Sequence, residues 1–392
     1  MTTIEKRFED IFHHPSEAAY FSPGRINLIG EHLDYNGGYV LPAAISLGTY
    51  GLVRKNNTAD FNLYSLNFED EGIYTFNDST LVYNKNNGWS NYVKGVMHII
   101  KETYHIPFSQ GLDILVSGNI PNGAGLSSSA SLELLIGKIL NDYYNLNLNM
   151  LDLIKIGQQV ENQFIGLNSG IMDQFAIGMG KSNHAILLNT NDLKYHHTPL
   201  DLKKYQLVII NSNKRRELSD SKYNERRKEC ETALKQLQEH IDIEQLTDLP
   251  PETFDKVAHH ITDATLLRRA RHVVYENSRT KSAYDALIHD DIETFGKLMN
   301  DSHLSLRDDY EVTGQELDTI YNEANKLPYV CGVRMTGAGF GGCAIALVDK
   351  QEVETFKSVL ATHYKNIIGY EPSFYPVEIG DGPKQLIGGE LQ

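Results

Sequence analysis

From Phe21 to about Ile177, apolar runs and glycine-rich breaks follow one another in the order strand, glycine-rich loop, strand, helix. Asn36-Gly37-Gly38 is a hairpin-turn signal ahead of the apolar run Tyr39 to Ile45. Pro42 inside that run predicts an edge or a bulge, because proline has no N–H to give to a ladder. Leu112 to Ile120 reads as a strand. Ser128 to Tyr143 predicts a helix, since Ala130, Leu134, Leu135 and Ile139 share one face. A second helix follows, with Leu153, Gly157, Val160 and Phe164 at spacings of four, three and four.

Ala185 to Leu188 and Leu207 to Ile210 are short apolar strands, and the polar stretch Asn189 to Lys204 between them is the expected place for a change of domain. Beyond it the helical period dominates over Tyr223 to His240, Thr265 to Ala286, Ile292 to Arg307 and Gly314 to Leu327, with Leu249-Pro250-Pro251 as a loop among them. Val330 to Met335, Ala344 to Val348 and Ser373 to Ile379 read as strands around a helix from Val353 to Tyr364. The pattern is that of an α+β protein in two lobes, divided into residues 1–195 and 196–392.

Composition narrows the function. A chain of 392 residues exceeds what one core usually serves and can enclose a cleft between domains. Its formal charge of −15 argues against binding to nucleic acid or anionic lipid, so any phosphate must be held by local devices such as backbone amides and a helix start. No apolar run approaches the length of a membrane span, and the charged first residues do not resemble a signal peptide. Three cysteines, Cys230, Cys331 and Cys343, without C-x-x-C spacing, point to a reducing, cytoplasmic setting.

Four segments carry candidate chemistry. In Pro121 to Ala130, glycines let amides approach an anion, serines offer hydroxyls, and the following helix presents unpaired N–H groups. The segment can cradle phosphate or simply cap a helix, and it lacks the lysine of a Walker A loop. Phe21 to Tyr35 packs Arg25, Glu31, His32 and Asp34 into ten residues, a polar wall suited to a polyol or else a solvated turn. Met335 to Cys343 contains G-x-G-x-x-G, but the strand expected after it excludes a dinucleotide fold and leaves a tight hairpin or a loop that approaches a ligand. Asp173 is the one acid in Asn168 to Phe175, open to a catalytic or an N-capping role.

Together these segments resemble the galactokinase branch of the GHMP small-molecule kinases. Gly24 to Tyr35 is similar to the galactokinase signature, Gly123 to Ala130 to the superfamily phosphate loop, and Gly337 to Gly342 to its third motif. Likenesses at Tyr223 to Arg227, Arg269 to Val273 and Ser302 to Leu306 extend the match over nearly the whole chain. The resemblance implies an N-terminal mixed-sheet lobe with helices, a C-terminal ferredoxin-like α/β lobe and an active site in the cleft.

It also implies transfer of the γ-phosphoryl group of ATP to the C1 hydroxyl of α-D-galactose, the entry step of galactose metabolism. Asp173 would be the base and Arg25 the charge stabiliser. Glu31, His32, Leu33, Asp34, Gly170 and Tyr223 would bind the sugar. Ser65, Gly123, Ala124, Gly125, Leu126, Ser127, Ser128 and Ser129 would bind ATP, with Trp89 and Tyr92 near the adenine. Ser129 and Glu161 would hold Mg²⁺, a hard cation that prefers oxygen. The partners expected are galactose and MgATP, acting on a monomer or a weak homo-oligomer. A kinase for N-acetylgalactosamine, mevalonate or homoserine, or a silent sugar-binding sensor, are the competing readings. The carboxylate-rich wall disfavours an anionic acceptor, and the complete serine run favours activity.

Overall fold

The computed structural model describes residues 2–121, 125–214 and 219–387. A six-stranded sheet runs in the order Lys384–Leu386, Ala18–Asn27, Pro42–Lys55, Leu112–Gly118, Asp60–Ser65, Tyr74–Asn77. Only the pair of Asp60–Ser65 with Leu112–Gly118 is parallel, so this lobe has the mixed sheet expected. Helix Ser128–Tyr144 lies on it: Ala130, Leu134, Leu135 and Ile139 are fully buried, and Gly51 of the central strand leaves room for the Leu135 side chain. Helices Ser90–Tyr104 and Met150–Gln159 pack beside it.

Pro42 is the first residue of its strand, opposite Asn27, and the strand meets Leu112–Gly118 only from Thr49 onward, so at Pro42 one side is a local edge and the missing N–H breaks no ladder. The run Tyr39 to Ile45 is thus divided, because Tyr39–Val40 instead pairs with His184–Asn189 in a separate three-stranded sheet completed by Tyr195–Pro199. The polar stretch Asn189 to Lys204 therefore contains a hairpin arm, and residue 195 opens it. Its one buried position is Thr198, so an apolar count passes over the strand.

In the second lobe, Tyr205–Asn211, Val330–Thr336, Cys343–Asp349 and Ser373–Val377 form an antiparallel sheet. Taken in chain order their spatial order is second, third, first, fourth, the ferredoxin-like arrangement. Helices Ser219–Gln238, Ala264–Ile288, Ile292–Asp308, Gly314–Ala324 and Val353–Ile368 surround it, within a few residues of the ranges expected. The lobes are laced together, since Lys384–Leu386 returns to pair with Ala19 to Phe21 of the first. Among the described residues no helix is long and apolar enough to cross a membrane.

Several elements escape the apolar pattern. Thr3–Phe12 is a helix whose start is fixed by reciprocal bonds between Thr2 and Glu5 and which buries Phe8. The stretch between residues 56 and 111 holds two strands and helix Ser90–Tyr104.

Candidate active site

A bulge between Pro23 and Arg25 turns the strand Ala18–Asn27 toward the phosphate loop. Gly24 permits the approach, because a Cβ there would lie 2.9 Å from the Leu126 carbonyl oxygen. The Arg25 amide donates to that same oxygen at 3.3 Å. The Arg25 guanidinium is buried and donates three bonds: Nε to Asp173 Oδ1 at 2.8 Å, Nη2 to Asp173 Oδ2 at 2.9 Å, and Nη1 to the Gly125 carbonyl at 2.8 Å. Burial opposes its charge, but Asp173, with Glu31 and Asp34 beyond, more than restores it.

Asp173 is the second residue of the short helix Met172–Gly178, whose N-cap is Ile171, so it is not the capping residue. Its Oδ2 also accepts from Ser127 Oγ. Ser127 has φ of 61°, a left-handed kink that directs its side chain to Asp173 while its neighbours start helix Ser128–Tyr144.

Beside this pair lies a cavity of about 140 Å³ lined by Arg25, Glu31, His32, Asp34, Gly170, Asp173 and Tyr223, together with Ser169, Met172, Gly337 and Ala338. Leu33 does not belong there: its side chain is fully buried in the core, and its carbonyl accepts from the amides of Asn36 and Gly38. A side chain flanked by wall residues faces the opposite way, which signature matching alone does not show.

Glu31 is almost completely buried and spans two motifs. Its Oε1 accepts from the Gly337 amide at 2.7 Å and faces Arg334 Nη1 at 3.4 Å, while Oε2 accepts from Asn27 at 3.0 Å. Burial raises its pKa against the pull of Arg334 and Asn27. His32 places Nε2 3.2 Å from the Ala338 carbonyl, which only accepts, so Nε2 carries the proton and Nδ1 accepts from Tyr35 Oη at 2.9 Å. Burial pushes His32 down to about 3, leaving it neutral. Burial, then Asp173 and Glu31, push Asp34 up to about 7. Gly170 abuts it, and a Cβ there would stand 1.9 Å from Asp34 Oδ2.

The third glycine segment is a hairpin joining Val330–Thr336 to Cys343–Asp349, and it also reaches the site. Gly337 lies 3.0 Å, measured from an added Cβ, from the Gly125 carbonyl, so the hairpin touches the phosphate loop.

A larger cavity of about 340 Å³ opens on the other side of that loop. Ser65, Ser128, Ser129, Trp89 and Tyr92 line it, with Asn67, Phe68 and Ile120. Trp89 stands edge-on to Tyr74 and lines the cavity, and its buried Nε1 has no hydrogen-bond partner among the described residues. Leu126 is buried in the core and, like Gly125 and Ser127, does not line this cavity. Gly123 and Ala124 lie outside the described residues.

Ser129 Oγ donates to Glu161 Oε1 at 3.0 Å. Glu161 sits in a π-helical turn, Val160–Ile165, that ends helix Met150–Gln159 and shifts its register toward Ser129. Hydroxyl and carboxylate form an oxygen donor set that suits Mg²⁺. Among the described residues no cluster of three or more His, Cys, Asp or Glu could cage a metal. A cation here would need phosphate oxygens and water to complete its shell.

Sequence reasoning missed Glu133, on the same helix face as Ser129 one turn on. It is buried, accepts from Gln174 at 3.0 Å, and is held well above the usual carboxylate range by burial and then Glu161. Arg226 is buried and donates to the Tyr310 carbonyl, and the partly exposed Arg227 donates to the Asn168 carbonyl.

Comparison with known proteins agrees with this geometry. The family profiles "GHMP kinases N terminal domain" and "GHMP kinases C terminal" match residues 91–181 and 283–366. The mevalonate kinase of Methanococcus jannaschii superposes with a TM-score of 0.69 over 93% of this chain and 98% of its own, at 21% identity, which speaks to fold alone. The two-lobed fold is thus that of a GHMP kinase.

The profile "Galactokinase galactose-binding signature" matches residues 6–55. Galactokinases of Ligilactobacillus salivarius and Lactiplantibacillus plantarum are 56% and 54% identical over 98% of this chain and 99% of their own. The galactokinase of Lactococcus lactis, solved with galactose, superposes with a TM-score of 0.95 at 49% identity, covering 98% and 99% of the two chains. The chain belongs to the galactokinase family of kinases.

Proposed function

We propose that the chain transfers the γ-phosphoryl group of ATP to the C1 hydroxyl of α-D-galactose, giving galactose 1-phosphate and ADP. The observation that carries this is Asp173. It stands in the wall of the polar cavity and is fixed by Arg25 and by Ser127 of the loop that opens the second cavity. As the sugar oxygen attacks phosphorus, its proton passes to the Asp173 carboxylate while the bond from the γ-phosphorus to the bridging oxygen breaks. Arg25, already charged and already oriented, steadies both the carboxylate and the spreading negative charge.

Glu31, His32, Asp34 and Tyr223 face the sugar, with the backbone near Gly170 beside it. The carboxylates of Glu31 and Asp34 and the Tyr223 hydroxyl recognise hydroxyls, neutral His32 forms a wall fixed by Ala338 and Tyr35, and a misplaced hydroxyl leaves a buried group unpaired. Ser65, the segment Gly123 to Ser129, Trp89 and Tyr92 take the nucleotide. Ser129 and Glu161 would hold Mg²⁺, which when bound offsets triphosphate charge.

An acceptor screen with MgATP and galactose, N-acetylgalactosamine, mevalonate and homoserine tests the reading. Galactose 1-phosphate is the expected product. Phosphorylation of N-acetylgalactosamine without galactose would overturn the substrate, and binding of galactose without any turnover would make the chain a sensor.

A further inference from the structure

The segments Arg269 to Val273 and Ser302 to Leu306 line neither cavity, yet they converge beneath the sugar-facing loop. On helix Ala264–Ile288 the residues His272, Glu276 and Thr280 are four apart and fully buried on one face. That face meets Gly30 and Glu31. The Gly30 amide donates to Glu276 Oε1 at 3.0 Å, and His272 Nε2 lies 3.2 Å from the Glu31 carbonyl. A carbonyl only accepts, so His272 is protonated on Nε2 and takes a bond on Nδ1 from Ser305 Oγ at 2.8 Å.

Gly30 has φ of 97°, and a Cβ there would come within 2.7 Å of the Tyr39 carbonyl oxygen, so the turn holds a conformation that local sequence does not stabilise by itself. Something outside the loop must fix it. We propose that Glu276, with His272, is a positioning residue that grips the Gly30–Glu31 peptide from below and so sets the affinity for the sugar. This rests on the assignment of the smaller cavity to galactose.

Glu276 receives three donors on two oxygens: the Gly30 amide, Ser302 Oγ at 2.5 Å, and Arg279. Burial opposes its charge, but Arg279, His272 and Arg334 prevail and hold its pKa down to about 2, so the acceptor stays fully ionised. The carboxylate takes Gly30 and Ser302 on Oε1 and Arg279 on Oε2, whereas an amide that keeps its oxygen toward Gly30 and Ser302 answers them with a neutral acceptor and turns its NH₂ group against Arg279. Glu276→Gln keeps the shape of the side chain and removes that capacity. The loop that carries Glu31, His32 and Asp34 is then held by a weaker, neutral acceptor no longer braced by Arg279, while the phosphate loop keeps its own bonds to Arg25.

The test measures initial rates against galactose and against MgATP, galactose binding by calorimetry, and amide hydrogen exchange, for wild type, Glu276→Gln and Ser302→Ala. In Glu276→Gln the galactose KM and Kd should rise about tenfold with the MgATP KM within about twofold, the effect of exchanging a charged acceptor for a neutral one. Exchange should quicken at Gly30 and stay unchanged in helix Ser128–Tyr144. Ser302→Ala, which removes only one of the three donors, should move galactose KM the same way by about threefold. Unchanged galactose KM and Kd in folded Glu276→Gln would overturn the proposal, and so would equal rises in both KM values, which mark general loosening. If Glu276→Gln does not fold, Ser302→Ala decides by the same criteria. Wild type that binds no galactose would sink the cavity assignment itself, a result distinct from either.

Discussion

Replacing Asp173 by asparagine keeps the shape of the side chain and removes its charge. Arg25 presents Nε and Nη2 to the two carboxylate oxygens at 2.8 and 2.9 Å, and an amide can answer only one of them. The other guanidinium N–H is left facing an NH₂ group in a site where the Arg25 side chain is only 5% exposed. Losing one partner of a fully buried pair costs about 3–5 kcal/mol. The Asp173 side chain is 30% exposed, so water takes up part of the loss and about 2–3 kcal/mol is the fitting estimate.

The chemical effect is larger than the structural one. General-base assistance is worth about 10²–10⁴ in rate, and the misaligned guanidinium removes further stabilisation, so phosphoryl transfer should fall at least about a thousandfold. Galactose binding should survive within about tenfold, since the rest of the wall is untouched. Rapid-quench single turnover with labelled ATP reads the first quantity, calorimetry the second and urea denaturation the third. Transfer within about tenfold of wild type in the folded variant would show that Asp173 does not take the proton.

Gly170→Ala must displace the Asp34 carboxylate, whose Oδ2 lies 1.9 Å from the added Cβ, so galactose KM should rise about 10- to 100-fold with ATP affinity retained, as steady-state kinetics would show. Asp34→Asn should weaken galactose binding and yet stabilise the fold at higher pH. Its folded pKa of about 7 exceeds the unfolded value, so the carboxyl's penalty is absent below the unfolded pKa, grows as pH rises and is complete above about 7. Denaturation at low and high pH should show a gain from Asn only at the higher pH, and an equal gain at both would contradict the burial of this carboxyl. Glu133→Gln should follow the same sign, with no penalty in acid and a relative gain at alkaline pH, because burial raises its carboxyl. An alkaline loss of stability in that variant would count against a neutral Glu133.

The alternation of apolar and polar positions by itself determined most helices and strands of the second lobe and the helix that follows the phosphate loop, because those elements bury one face against a sheet and their period survives in the chain. Residue type was enough to nominate Arg25, Asp173 and the serine run, since those chemistries are scarce and clustered. Strand Tyr195–Pro199 stayed hidden because its buried position is a threonine, the strands between residues 56 and 111 because they are short with polar outer faces, and the split at Pro42 because both halves are apolar.

Only the tertiary structure decided which way each side chain points. It turned Leu33 into the core and joined Glu31 to Gly337 across more than three hundred residues of chain. It used a π-helical turn to bring Glu161 to Ser129, and it set Glu133 and Glu276 as charged or acidic groups behind the site. Periodicity records how much of an element is covered, whereas direction within a packed interior depends on partners that local sequence does not contain.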